Sequence, residues 1–244
     1  MIKDNDYNIY RDNEGNEYNK ISLFEAIQQS WSDIGTNGGI LGGGGDPGSI
    51  NLDTGAYNNA SLGKLTVDKL LSIFKGAKRD YVGACLAVLS KYGTKVGLTD
   101  KAKLLVLAQF AHESGGFRYT AELGKGKGRK YGLPTGPYNQ VYYGRGPIQI
   151  TWDYNYKAIT QKYFPQIGLN ADIYANPNLC ETNIEIGCAA SLCWFLMPGN
   201  GKRAVQCANS GDVRGLSKAI NGGWNGLAER ESFTEKILKL ASQA

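Results

Sequence analysis

The sequence predicts a mainly α fold from residue 61 to the C terminus, preceded by an irregular extension over residues 1–60. Two observations support this prediction. Apolar residues recur at i, i+3, i+4 and i+7 behind side chains that cap helices, and glycine or proline follows several of these segments. With 244 residues, the chain is long enough to bury a full hydrophobic core.

The N-terminal extension contains short aromatic and charged stretches, followed by a glycine-rich segment. Ser22, with Glu25 three residues later, predicts a short helix that begins near residue 22. Residues 35–48 have the glycine-rich composition of a flexible linker. No motif that carries chemistry lies before residue 61. We therefore expect residues 1–60 to be a docking segment and residues 61–244 to be the functional domain.

The helices of residues 61–244 follow from caps and periodicity. Thr66 and Thr99 each precede an apolar segment of helical spacing, and the pair Gly115 and Gly116 ends the second of these segments. The predicted helices cover residues 66–74, 79–92, 101–113, 183–197, 213–220 and 228–241.

Charge and composition exclude several classes of protein. The formal net charge of +5 is mild and compatible with an acidic polymer as partner. The densest basic run, residues 125–130 (KGKGRK), has no interleaved aromatic residue, and no nucleic-acid-binding motif accompanies it. We expect a solvated loop there, with phosphate or polymer contact as the alternative. No apolar run reaches the roughly 18 residues of a membrane span.

The five cysteines predict neither a zinc site nor a disulfide framework. Their number is odd, and no CxxC pair occurs. The first twenty residues lack the apolar core of a signal peptide, which indicates synthesis in the cytoplasm. We expect small buried hydrophobes at Cys85, Cys180, Cys188, Cys193 and Cys207, and we expect no metal and no cofactor.

Glu113 is a candidate general acid. It lies on the same helical stripe as Val106 and Phe110, so its carboxyl is expected at the end of an apolar face. Partial desolvation disfavours the charged form of a carboxyl, as acid catalysis near neutral pH requires. A solvated glutamate is the poorer alternative, because the C-terminal end of a helix repels negative charge.

Glu122, nine residues later, is the candidate partner of Glu113. A continuous helix would point the two acids apart. Gly115 and Gly116 break the helix, and residues 117–120 alternate like a strand, so the chain can fold back and place Glu122 opposite Glu113. A separation of roughly 6.5–9.5 Å would leave room for a water molecule and predict inversion at an anomeric carbon.

A second motif, residues 144–151 (GRGPIQIT), supplies polar groups. Residues 144–147 predict a tight turn. If the following segment is extended, Gln149 and Thr151 point to the same side, where an amide and a hydroxyl can bind a sugar and hold a water. Thr151 can also cap the next helix, and the two roles can coexist. Together the two motifs indicate cleavage of a glycosidic bond.

These residues resemble glycoside hydrolase family 19, and within it the phage endolysins more than the plant chitinases. The resemblance covers about residues 67–240 and rests on ordered matches at residues 112–117, 144–151, 154–156, 194–197 and 220–223, with Arg230 after the last of them. It implies an α+β lysozyme-like fold: a helical bilobal domain with a small β-hairpin region beside the cleft.

The resemblance also implies a role for each matching residue. Glu113 would be the general acid, Glu122 the base that activates water, and Thr151 the residue that positions this water. Substrate contacts are expected from His112, Gln149, Tyr154, Asn155, Asn221 and Arg230.

Departures from the plant pattern favour one substrate. The short spacing between the acids, Ser114 after the first acid, and Ala190 where plant enzymes carry a lysine favour a peptidoglycan muramidase. Such an enzyme cuts the MurNAc–GlcNAc β-1,4 bond with inversion. It would reach the bacterial wall through lysis with a holin or on a virion, where residues 1–60 would contact phage tail or baseplate proteins.

Three alternatives remain open from the sequence. A chitinase of the same family would differ only in subsite width and charge. A lytic transglycosylase works with a single acid, so Glu122 argues against it. A wall-binding virion protein without activity would not need both acids and Thr151.

Overall fold

The computed structural model describes the backbone of residues 9–11 and 17–19 and all of residues 57–243. Strands β1 (Ile9–Arg11) and β2 (Glu17–Asn19) pair antiparallel, with Tyr10 opposite Tyr18. The helix expected near residue 22 and the linker expected at residues 35–48 lie outside the described residues.

The remainder is mainly helical, as predicted. A short antiparallel pair, β3 (Ser61–Leu62) and β4 (Leu65–Thr66), leads into it. The α-helices in chain order are α1 (Val67–Ile73), α2 (Arg79–Tyr92), α3 (Asp100–Glu113), α4 (Asp153–Ala158), α5 (Phe164–Ile167), α6 (Leu179–Thr182), α7 (Ile184–Cys193), α8 (Asn200–Ser210), α9 (Val213–Asn221) and α10 (Leu227–Ser242). Short 3-10 turns cover Thr94–Val96, Lys130–Gly132 and Trp194–Leu196, and a π-helical turn, Ile159–Tyr163, joins α4 to α5.

Capping side chains set the starts of the helices that the sequence predicts best. The Thr66 hydroxyl accepts a hydrogen bond from the Lys69 amide, and Thr99 accepts one from Ala102. Both caps confirm the prediction, because each satisfies a backbone donor that has no partner inside the helix. The predicted boundaries of α2 match the observed ones, and those of α3 differ by one residue.

Helix α3 forms the centre of the domain. From Leu105 to Glu113 every residue is buried, which is typical of a helix surrounded by protein on all sides. Helices α2, α8 and α10 pack around it. The last residue of α3 therefore emerges from the core at a fixed position.

The segment after α3 differs from the prediction. Residues 117–120 are not a strand: Phe117 has a left-handed φ of 61° and a fully buried ring that packs edge-on against Phe74. Burial of this ring against α1 outweighs the alternating pattern. The small β region beside the cleft consists of isolated antiparallel bridges, Ala121 with Arg145 and Arg145 with Ile150.

Helix α8 was not predicted. It begins after Gly199, whose φ is 72°, and no side chain caps it, so the usual start signal is missing. The predicted helix at residues 183–197 is shorter as an α-helix, because α7 gives way to a 3-10 turn at Trp194.

The helical domain begins before residue 61. The Tyr57 hydroxyl donates a hydrogen bond to Glu185, and the Tyr57 side chain covers Gly83 so closely that a Cβ there would lie 2.4 Å from it. Tyr57 and Ala60 pack against the core. Residues 57–60 therefore belong to the helical domain rather than to the extension.

The cysteines mostly occupy the core. Cys85, Cys180, Cys188 and Cys193 are buried and Cys207 is partly buried, all as free thiols. The prediction of buried hydrophobes is confirmed for the first four. In residues 57–243, no helix combines the length and the apolar character that crossing a bilayer requires.

Candidate active site

The carboxyl of Glu113 is fixed by a buried arginine. Glu113 ends α3 and is 6% exposed, and Arg230 of α10 is fully buried. The Arg230 guanidinium donates from Nη2 to Glu113 Oε1 at 2.5 Å and from Nη1 to Gln109 Oε1 at 2.6 Å. Because Gln109 lies one turn before Glu113 on α3, the planar guanidinium holds both side chains in one orientation.

This arrangement changes the expected role of Arg230. A side chain with no exposed surface does not offer its guanidinium to a sugar, so the expectation of a direct substrate contact does not fit. Its contact with Glu113 instead suits a residue that orients this carboxyl. The apolar surroundings of Glu113 were foreseen, but the buried countercharge was not.

His112 is directed away from solvent. Its Nδ1 lies 2.6 Å from Glu229 Oε2, and this hydrogen bond is the main cause that lowers the pKa of Glu229. Gly226 lies so close to the imidazole that a Cβ there would be 2.2 Å from it. His112 also lines a cavity of about 270 Å³ with Phe74, Arg118 and other residues. Its expected sugar contact is therefore limited to the edge that faces this cavity.

The chain reverses directly after Glu113, as predicted, but through turns. Gly115 and Gly116 adopt φ values of 62° and 75°. The Gly116 amide donates to Ala111 O at 2.6 Å, and the Tyr119 amide donates to Ser114 O at 3.1 Å. The turn leads to Ala121, which bridges to Arg145.

Glu122 stands in a desolvated position with one unpaired oxygen. Its amide donates to Gly144 O at 2.9 Å, and the Tyr131 hydroxyl donates to its Oε2 at 3.1 Å. Oε1 is buried and has no hydrogen-bond partner among the described residues. Burial raises the pKa of Glu122, and the hydrogen bond from Tyr131 partly opposes this. A carboxylate in such a position is a stronger base than one in water.

Gln149 lies next to Glu122, although not through the expected alternation. Its φ of 55° is left-handed, so the segment is not extended at this residue. Its Nε2 donates to Gly146 O at 2.9 Å, and its Oε1 is buried without a partner among the described residues. A Cβ on Gly144 would lie 2.8 Å from Gln149 Oε1 and 3.4 Å from Glu122 Oε2. The absence of a side chain at Gly144 lets the two polar groups approach each other.

The unpaired oxygens of Glu122 and Gln149 define what this position can bind. Both are acceptors, and a water molecule has two protons to donate. A water held by both groups would satisfy two buried atoms that otherwise carry a desolvation cost.

Thr151 does not cap the following helix. The N-cap of α4 is Trp152, whose φ is 71° and whose side chain makes no capping bond. The Asp153 carboxylate instead accepts a hydrogen bond from the Tyr154 amide at 2.8 Å. The Thr151 hydroxyl donates to Gln149 O at 2.8 Å, and Asn155 Nδ2 donates to Thr151 O at 2.7 Å. The lone pairs of the Thr151 hydroxyl can still accept a hydrogen bond, while Asn155 connects the start of α4 to this segment.

Aromatic side chains flank the segment. Tyr154 is 42% exposed and stacks on Trp152 with an interplanar angle of 16°. Trp152 meets Tyr131 edge-on at 5.5 Å, which links this platform to the partner of Glu122. The sequence reasoning missed Trp152 and Tyr131, although Trp152 directly follows the second motif.

Two further residues complete the surroundings. Asn221, the last residue of α9, is 3% exposed, and its Nδ2 has no partner in the part of the chain that the structure describes. A buried amide donor of this kind suits an acetamido carbonyl. Arg145 is 1% exposed and donates to Glu181 Oε1 at 2.7 Å and to Asn178 Oδ1 at 2.9 Å, so it anchors the second motif and does not face a ligand. No cluster that could hold a metal ion occurs within residues 57–243.

Comparison with known families agrees with this geometry. Residues 100–214 match the family model described as chitinase class I, that of glycoside hydrolase family 19. An endochitinase of Arabidopsis thaliana is 44% identical over 80 residues, which are 31% of this chain and 27% of that protein. A basic endochitinase of Brassica napus is 35% identical over 123 residues, which are 48% of this chain and 41% of that protein. The chain thus spans less than half the length of these curated relatives.

Solved structures share the fold. A bacterial family 19 chitinase superposes with a TM-score of 0.54 at 22% identity. The superposed region is 74% of this chain and 96% of the chitinase chain. Chitinase C from Streptomyces griseus superposes with a TM-score of 0.54 at 23% identity and covers 75% of this chain and 78% of its own. The likeness to these structures concerns the helical fold, which in this chain places a buried glutamate at the end of the central helix. Within that fold, residues 100–214 carry the sequence pattern of family 19.

Proposed function

We propose that the protein hydrolyses β-1,4 bonds between N-acetylhexosamine residues, with inversion of the anomeric centre. The observation that carries this proposal is the contrast between two carboxyls. Glu113 is held by a buried cation, whereas Glu122 is desolvated and retains an unpaired oxygen beside Gln149. Two acids in different environments are what acid and base catalysis require.

In this mechanism Glu113 donates its proton to the glycosidic oxygen as the bond to the leaving sugar breaks. The carboxylate that results restores the ion pair with Arg230 that the resting structure shows, so this interaction is stronger after proton transfer than while Glu113 carries the proton. The apolar end of α3 keeps water away from the same carboxyl.

Glu122 would accept a proton from a water held with Gln149 and Thr151, and the oxygen of this water would attack the anomeric carbon from the face opposite the leaving group. The elevated pKa of Glu122 favours this proton transfer. Glu122 accepts one proton and Glu113 delivers one in each reaction cycle. Proton exchange with solvent then restores the starting protonation states of both glutamates.

A neutral polymer of N-acetylglucosamine, of the chitin type, is the substrate that we propose first. The plant relatives from Arabidopsis thaliana and Brassica napus are described as endochitinases. The stacked pair of Trp152 and Tyr154 offers a flat surface to a sugar ring, and the Asn221 amide offers a donor to an acetamido group.

Peptidoglycan is the second candidate, because basic residues lie next to Glu122. The positive charge of Arg129 acts on the Glu122 carboxyl and lowers its pKa, although less than burial raises it. Lys125 lies 3.6 Å from Glu181 and is largely exposed. A basic rim of this kind favours an acidic polymer such as the bacterial wall.

Mass spectrometry of digests separates these substrates and tests the reaction. The protein should release oligosaccharides with N-acetylglucosamine reducing ends from chitin, or with muramic acid reducing ends from peptidoglycan. Anhydromuramic acid ends would identify a transglycosylase and contradict the proposal. The variants Glu113→Gln and Glu122→Gln serve as matched controls, and each should lose about 10²–10⁴-fold in rate.

A further inference from the structure

An exposed tryptophan with two cations lies on the turn between α9 and α10. Trp224 is 57% exposed. The Arg214 guanidinium lies 5.9 Å from the centre of its ring, and Lys218 Nζ lies 5.2 Å from it. Arg214 and Lys218 are four residues apart on α9 and therefore share one face of that helix.

This turn is part of the structure that holds the candidate acid. Asn221, whose buried amide has no partner among the described residues, lies three residues before Trp224. The carbonyl of Asn225 accepts a hydrogen bond from Arg230 Nε at 3.3 Å. The turn also packs on His112 through Gly226. Trp224 is thus an exposed aromatic residue on a turn that His112 and Arg230, the two neighbours of Glu113, hold in place.

An exposed indole offers a flat apolar face that a partner can cover. A pyranose ring has apolar faces of C–H groups that pack against an indole, and a cation beside the ring attracts an anionic substituent of the same sugar. Arginine in particular presents a planar fork that matches a carboxylate.

We propose that Trp224, Arg214 and Lys218 form a saccharide subsite that selects a sugar with a carboxylate substituent. The assignment rests on the proposed function, because it places this subsite along the same polymer that Glu113 and Glu122 would cleave. It makes these three residues determinants of specificity, and it predicts that the two charges raise kcat/KM for an acidic N-acetylhexosamine polymer relative to a neutral one of the same backbone.

The test compares two soluble polymers with the same backbone: glycol chitin, which is neutral, and carboxymethyl chitin, which carries carboxylates. The double variant Arg214→Gln with Lys218→Gln should lower the ratio of kcat/KM for the acidic polymer over the neutral one by about three- to tenfold, the range expected for two partly exposed charge contacts. The loss should appear in KM rather than in kcat, and it should shrink at high salt. Trp224→Ala should raise KM for both polymers, because ring stacking does not depend on charge.

A matched control removes two charges elsewhere. Lys64 and Lys101 are exposed, and Lys101 lies at the opposite end of α3 from Glu113. Lys64→Gln with Lys101→Gln should leave the ratio unchanged. An equal fall of the ratio in this control, or no fall in the Arg214 and Lys218 variant, would overturn the subsite.

Calorimetric titration of the Glu122→Gln protein with carboxymethyl chitin separates this inference from the proposed function. Weaker binding when Arg214→Gln and Lys218→Gln are added to this variant, together with a wild-type protein that cleaves neither polymer, would support the subsite and contradict the hydrolase proposal. Cleavage of both polymers with no change in binding would support the hydrolase proposal and contradict the subsite.

Discussion

Glu113 and Arg230 are buried together as an ion pair, and the loss of either one should lower the stability of the fold. Removal of one member of a buried ion pair leaves an uncompensated charge, which typically costs about 3–5 kcal/mol. Arg230→Met should therefore lower the free energy of unfolding by about this amount, because Glu113 and Gln109 both lose their donor. Urea denaturation provides the measurement.

The double variant Arg230→Met with Glu113→Leu is the control for this prediction. It removes both charges, so it should be more stable than Arg230→Met alone, although inactive. If the double variant is less stable than the single one, the lost packing of Arg230 rather than the unpaired carboxylate explains the effect.

The hydrogen bond from Tyr131 affects the pKa of Glu122. Burial raises the pKa of Glu122, and the hydrogen bond from the Tyr131 hydroxyl stabilises the charged form and so lowers it. Tyr131→Phe removes only the second effect, so the pKa of Glu122 should rise further. Because the base must be ionised to act, the acid limb of the pH–rate profile should move to higher pH.

The kcat of wild type and Tyr131→Phe across acid pH tests this shift. Tyr138→Phe is the control, since Tyr138 is an exposed tyrosine that packs on Tyr174. A shift to lower pH in Tyr131→Phe would contradict the assignment of Glu122 as base.

At the scale of elements, the close approach of the turn after α3 to the second motif depends on Gly144. A Cβ at Gly144 would meet Gln149 Oε1 at 2.8 Å, whereas a Cβ at Gly124 would meet nothing within 4 Å. Gly144→Ala should displace Gln149 and the water that it would hold, and it should lower kcat by about 10- to 100-fold with an intact fold. Gly124→Ala should behave like wild type. Equal rates for the two variants would show that Gln149 does not position the water.

The helices that carry clear caps could be read from the sequence, and the turns between them could not. Thr66 and Thr99 act over three residues, so local sequence suffices to place α1 and α3. The left-handed conformations of Phe117 and Gln149 depend instead on burial and on contacts with distant segments. The conformational preferences of phenylalanine and glutamine do not predict these left-handed conformations, because L-residues rarely adopt positive φ.

The candidate site shows the same division. The residue types at Glu113, Glu122 and Thr151 were recognisable from their motifs. The ion pair of Glu113 with Arg230 joins residues 117 positions apart. The hydrogen bond from Tyr131 to Glu122 spans a loop whose sequence shows no periodic pattern. Arg230 was expected to contact a ligand, but it is fully buried beside Glu113. Its burial depends on distant segments that pack over it, which the local sequence does not specify.

At the scale of the whole molecule, we propose that the N-terminal extension serves placement and not catalysis. Removal of residues 1–54 should leave the digestion of purified polymer unchanged, because every described residue that packs in the core lies at or after Tyr57. Removal of residues 1–60 should lower the thermal midpoint, because it deletes the hydrogen bond from Tyr57 to Glu185 and uncovers Gly83. Thermal unfolding and polymer digestion check both truncations.

Loss of activity in the chain that lacks residues 1–54 would place part of the extension in the catalytic domain. Association with phage tail or baseplate proteins, which we propose for this extension, should be lost in both truncations. Co-sedimentation with assembled particles measures it, and retained association would locate the contact in the helical domain.

Proton nuclear magnetic resonance of the first products tests the two-carboxylate mechanism most directly. The anomeric proton of each new reducing end is observed during hydrolysis of the N-acetylglucosamine hexasaccharide, before mutarotation mixes the anomers. Attack by a water held at Glu122 opposite Glu113 predicts that the α anomer forms first from the β-linked substrate. A product that forms first as the β anomer would mean retention, and would contradict the roles assigned to Glu113 and Glu122.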